Sequence, residues 1–179
     1  MQNPAIESFE GISPDIKDSV YVADTSKVIG DVAIGEDSSV WPMAVIRGDV
    51  HEIRIGARTS VQDNAVLHCT HRSDFKPEGN PLIIGDDVTI GHSAALHGCT
   101  IGNNVLIGIQ TIVLDGAIVP NNVIIGAGSL VPPNATLEAN SLYLGRPAKR
   151  IRALTEEEIG RDLYGAGHYV KLKNKYMKS

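Results

Sequence analysis

The sequence is short of the residues that build most globular cores. Aromatics make up 4% of its 179 residues, with two Phe and one Trp, which excludes a sandwich centred on large rings. Leucine is scarce as well, at 12 against 20 Ile and 16 Val. β-branched side chains lose rotamer freedom in helices and favour strands, so a helical bundle is excluded. Cysteine is limited to Cys69 and Cys99. Two thiols make no disulfide framework and suit a reducing cytoplasm. No apolar run reaches the ~18 residues of a membrane span, and Met1-Gln2-Asn3-Pro4 lacks the basic-then-apolar pattern of a secretory signal. The net charge of −5 is spread along the chain and gives no basic face for nucleic acid or anionic lipid. The expectation is one soluble, cytoplasmic, strand-rich protein.

What the chain does have is a six-residue register. Stepping by six from Val22 gives Val28, Ile34, Val40 and Ile46; the series resumes at Ile55, Val61 and Leu67, and again at Ile84, Ile90 and Leu96. One residue is lost near Gly98–Thr100, after which Ile101, Ile107, Val113, Val119, Ile125, Val131 and Leu137 follow. A period of six fits neither a helix nor a simple strand. It fits a triangular prism in which each side is a short strand ending at a turn, and eighteen anchors make about six coils. The fold class expected is therefore all-β, a parallel β-helix whose narrow interior takes small aliphatic anchors in single file.

Two stretches interrupt the register, a short excursion at 47–54 and a longer one at 69–83, the latter carrying Asp74, Pro77, Gly79 and Pro81. The β-helix domain spans 1–154. Residues 155–179 read as a C-terminal α-helix packed along the prism, opened by a Thr155–Glu158 capping box. Its apolar stripe is Ile159, Leu163, Ala166 and Val170.

The register also places three of the six histidines. His68 follows Leu67 and His97 follows Leu96. Aligning the blocks puts His97 one coil above His68, where two imidazoles can converge on one metal ion at about 2.0–2.1 Å from each nitrogen. His92, two residues after Ile90, lies on another side of the triangle, roughly 15 Å from His97 at strand spacing. It can complete the site only from a neighbouring chain, so the expected assembly is a homotrimer with the metal shared between subunits. Three His and an open position make a catalytic arrangement that supplies hydroxide near neutral pH. Cys69 and Cys99 lie close by and read as small packing residues. Asp63 falls beneath His92 and can take its second N–H. Gln62 can hydrogen-bond a metal-bound hydroxide. Arg47 sits one coil below His68, with Asp49 as its ion-pair partner.

At this point the sequence resembles the γ-class carbonic anhydrases over nearly its whole length. The motifs are Arg47-Gly48-Asp49, Gln62 through His68, Gly91-His92 and Leu96-His97-Gly98-Cys99, in the family's order and spacing. The resemblance implies a left-handed β-helix, trimers, and Zn2+ or Fe2+ at the interface. It implies reversible hydration of carbon dioxide to bicarbonate by a metal-bound hydroxide. It further implies His68, His92 and His97 as metal ligands, Gln62 positioning the hydroxide, and Arg47, Asp49 and Asp63 organising the interface and the bicarbonate site. The founding type's two proton-shuttle glutamates are here Val50 and His71, and its acidic loop is missing. An unperturbed imidazole titrates at about 6.5, so His71, or His51, is the candidate proton carrier. The founding type's helical Asn is absent, with Tyr164 the nearest substitute. Competing readings are a hexapeptide acyltransferase using acetyl-CoA and one His base, a metal-stabilised scaffold with little turnover, and metal-dependent thioester hydrolysis.

Overall fold

Successive coils of the register pair in parallel, and the anchors stack in three columns. One column runs Val22, Val40, Val61, Ile90, Ile107, Ile125. The second runs Val28, Ile46, Leu67, Leu96, Val113, Val131, and the third Ile34, Ile55, Ile84, Ile101, Val119. These are the three faces of a prism, seen in a computed structural model that describes residues 3–178. Of the anchors only Val22 is incompletely buried. Burying one such side chain contributes about 1.5–3 kcal/mol, so the file of anchors is the core.

The corners follow one rule. The residue three after the anchor turns into the left-handed region at Asp37, Arg58, Asp87, Asn104 and Asn122 along one edge, and at Met43, Asn64, Ser93 and Gln110 along another. Asn and Asp enter that region readily; Met, Arg and Gln do so only where the stacking above and below dictates it.

The solenoid has about eight turns, more than the register counts, because it continues past both ends of the series, with Ile16 six residues before Val22 and Tyr143 six after Leu137. Ile6 pairs with Val28 and Ile16 with Ile34, adding a coil before Val22. Tyr143 pairs with Ile125 at the other end. There Lys149–Ala153 folds back antiparallel on Ser141–Leu144 and covers an edge that would otherwise template further pairing.

The first excursion is narrower than the register suggests. Val45–Ile55 is one strand; Arg47 and Gly48 still pair with Ile29 and Gly30, and Ile53 and Arg54 with Val32 and Ala33. Only Asp49–Glu52 bulge outward. The second excursion is gated at its base by the Thr70–Asn80 bridge and crossed again by Ser73–Lys76.

The helix spans Glu156–Tyr176 with the expected capping box at Thr155 and Glu158, and packs on the face carrying the Val22 column. Its docking differs from the sequence stripe. Leu163 is exposed, whereas Ala166 and Lys173 are buried. Lys173 Nζ donates to Asp37 Oδ1 at 2.8 Å and to the Ser19 carbonyl. The scarce aromatics gather in this seam: Trp41 stands 5.3 Å from Tyr21, 6.1 Å from Tyr169 and 5.3 Å from Tyr176, and its Nε1 donates to Ser60 Oγ at 2.9 Å. Four rings thus hold the helix from outside, whereas Tyr143 closes the core at the end of the prism. Among the described residues no helix is long and apolar enough to cross a membrane.

Candidate active site

His68 and His97 are direct partners in the sheet, and their rings meet edge-on with centroids 5.1 Å apart. Nδ1 of His68 faces Nε2 of His97 at 3.1 Å. Behind each ring stands a carboxylate. His68 Nε2 donates to Asp49 Oδ1 at 3.0 Å, and His97 Nδ1 lies 3.1 Å from both oxygens of Asp115. A neutral imidazole carries one proton. With that proton on the carboxylate side, the two facing nitrogens both present lone pairs. Two acceptors so close call for a cation between them. Tetrahedral zinc holds its imidazole nitrogens about 3.3 Å apart, so the pair fits a divalent ion as it stands.

The carboxylates are themselves held ionised. Burial raises Asp49, but hydrogen bonds from His68 and Arg47 outweigh it and leave the group below the ordinary carboxylate range. Burial of Asp115 is outweighed in the same way by Thr70, His97 and Asn80. Arg47 pairs with the second oxygen of Asp49 while its guanidinium stays half-exposed. The thiols take no part. Burial pushes Cys69 up to about 11 and Cys99 to about 12, and only a thiolate ligates metal.

His92 is not brought to this pair within the chain. Its Nδ1 meets Asp63 Oδ2 at 2.9 Å, as the register places them, and its side chain is 46% exposed. Among the described residues no three His, Cys, Asp or Glu side chains of one chain converge to hold a metal. Gly91, just before His92, lies so close to the next coil that a Cβ would come 2.8 Å from Ile107 O and Ile109 N. His92 and the buried Gln62 open instead onto a cavity of about 460 Å³ between prism and helix, walled by Ile107, Ile109, Asp162 and Tyr169.

The candidate proton carriers lie further out. His71 is exposed on the second excursion. His51 uses both nitrogens, one on the Glu78 carbonyl at 3.0 Å and one accepting from Glu52 N at 2.8 Å, and so clips the two excursions together. Tyr164 points outward, 72% exposed, because Tyr169 and Asp162 take the inward positions of the helix. Sequence reasoning missed Asp115. Its signal was available: Asp115 is two residues past Val113, which pairs with Leu96, so extending the coil alignment one step puts a carboxylate over Gly98, beside His97.

The prism, its cavity-side helix and a histidine pair backed by carboxylates define a hexapeptide-repeat solenoid with a polar, histidine-bearing face. No family model matches the chain. It is 54% identical over 172 residues to Protein YrdA of Escherichia coli (strain K12), covering 96% of this chain and 94% of that one. It is 46% identical over 154 residues to Carbonic anhydrase of Geobacillus kaustophilus (strain HTA426), covering 86% and 81%. Gamma carbonic anhydrase 2, mitochondrial, of Arabidopsis thaliana is 41% identical over 160 residues, covering 89% of this chain and 57% of that one. The crystal structure of a hexapeptide transferase family protein from Anaplasma phagocytophilum superposes with a TM-score of 0.89 at 37% identity, covering 98% and 99%. The chain belongs to the γ-class carbonic anhydrase family.

Proposed function

We propose that the protein catalyses the reversible hydration of carbon dioxide to bicarbonate at sites shared between the subunits of a homotrimer. Each site holds Zn2+ or Fe2+ through His68 and His97 of one subunit and His92 of the next. One observation carries the reading: two ring nitrogens face each other at 3.1 Å, and each imidazole meets a carboxylate at its other nitrogen. His92 repeats the design with Asp63 behind it and its Nε2 turned away from that carboxylate. A bound divalent ion supplies the Lewis acidity that makes water nucleophilic near neutral pH.

The chain's own groups do the rest. Gln62 lines the cavity beside His92, and its side-chain amide is the group that would orient the attacking water. The walls of Ile107 and Ile109 favour apolar carbon dioxide over the bicarbonate ion. Arg47, aligned by Asp49, offers a positive charge to the anionic product. His71, exposed on its excursion, passes the released proton to buffer, and His71→Ala lowers turnover in weak buffer only. Two free, buried thiols fit a reducing compartment such as the cytoplasm.

Metal analysis after anaerobic purification, with stopped-flow carbon dioxide hydration of wild type and His92→Ala, tests the reading. Expected are one metal per chain and hydration in the wild type, and loss of both in the variant. Full metal without hydration redirects the reading to a scaffold or a thioester hydrolase. Acetyl-CoA binding by a metal-free, active protein redirects it to an acyltransferase, the class that the solved neighbour's family name favours.

A further inference from the structure

The second excursion leaves the prism at Thr70 and returns at Asn80, and the two residues are bonded backbone to backbone at 3.0 and 2.9 Å. Their side chains converge on one acceptor, Asp115, from a coil 35 residues beyond Asn80. Thr70 Oγ1 donates to Asp115 Oδ1 at 2.5 Å, and Asn80 Nδ2 donates to the same oxygen at 3.2 Å. The same carboxylate spans Nδ1 of His97 with both oxygens at 3.1 Å. Room for this is made by Gly98, the residue after His97. It turns with φ +51°, and a Cβ there would lie 2.4 Å from Asp115 Oδ1 and 2.7 Å from Asn80 Cβ. Asp115 is thus aimed at the imidazole by hydrogen bonds from two neighbours.

We propose that Asp115 is the positioning residue for His97. Its carboxylate captures the Nδ1 proton, so that Nε2 turns an unprotonated lone pair toward His68, and its charge raises the basicity of that nitrogen toward a divalent cation. Thr70 and Asn80 hold the carboxylate in place, which makes the base of the second excursion part of the metal-binding apparatus. This inference rests on the metal-binding reading of the site. Outer partners of ligating histidines set tautomer and ring orientation, and their loss weakens metal affinity by about 10–100-fold.

The test is chelator competition with Zn2+, and the visible absorption of Co2+, on the full-length protein and on Asp115→Ala, Asp115→Asn and Thr70→Val. Asp115→Ala should weaken Zn2+ affinity by about 10–100-fold and alter the Co2+ bands. Asp115→Asn keeps an acceptor but not the charge, and should recover part of the loss. Thr70→Val removes one of the two clamps and spares the contact with His97, so its metal affinity should stay within a few-fold of wild type. Thermal unfolding of the metal-free proteins supplies the control, since a residue that merely anchors the excursion shifts the melting temperature and leaves metal affinity alone. Wild-type affinity in Asp115→Ala overturns the inference while the metal site stands. A wild type that binds no metal overturns the site and the inference together.

Discussion

At the scale of single residues, the site depends on what is small as much as on what is charged. Gly91 gives His92 its place because any side chain there meets backbone of the next coil at 2.8 Å, and backbone inside a stacked sheet does not yield. Gly91→Ala should therefore destabilise the fold by about 1–3 kcal/mol, read as a lower urea midpoint, and should weaken metal binding through displacement of His92. Unchanged stability would mean that the coils separate more easily than the geometry says. The three histidines were legible because each lies one or two residues from an anchor, and anchors locate themselves. The carboxylates behind them were legible only in part. Asp63 is two residues past Val61 and stacks under His92, whereas Asp49 reaches His68 from a bulge whose path no periodicity describes.

At the scale of elements, the helix shows where pattern reading stops. Its capping box is local chemistry and appears as expected. Its buried face is not local. Leu163 is exposed while Lys173 is buried against Asp37 and the Ser19 carbonyl, partners more than a hundred residues away that no moment calculation contains. Asp162 is drawn inward on the same face, and burial pushes its carboxyl up to about 6. An acid whose folded pKa is raised costs stability when ionised. That cost is complete above about pH 6 and vanishes on protonation toward the ordinary carboxylate value of about 4. Asp162→Asn should stabilise the protein by on the order of 1 kcal/mol at neutral pH, a value reduced for the group's partial exposure. The gain should fade as pH falls through this window, as denaturant titrations at several pH values will show. A gain that grows on acidification would refute the account.

At the scale of the whole molecule, His92 stands on a different face from His68 and His97, so the proposed site is complete only in an assembly. In the proposed homotrimer, a heterologous interface around a threefold axis joins each histidine pair to the next subunit's His92. Chains carrying His92→Ala and chains carrying both His68→Ala and His97→Ala should each bind no metal alone. Co-expressed, any trimer containing both kinds of chain regains one intact site, and isolation by two tags followed by native mass spectrometry should count one metal per mixed trimer. No metal in mixed trimers would place the site within one chain.

The repeat, the three columns and the stacked histidine pair were determined by the sequence alone, because neighbours in a periodic solenoid are set by counting. A contact one coil away is a fixed number of residues away once interruptions are located. Tertiary structure decided whatever the period does not link. It placed Thr70 and Asn80 on Asp115, chose Asp162 and Lys173 over Leu163 as the inward face of the helix, and gathered Trp41, Tyr21, Tyr169 and Tyr176 in the seam outside the prism. Those contacts join segments of unrelated register, and packing against a finished surface, not spacing along the chain, selects them.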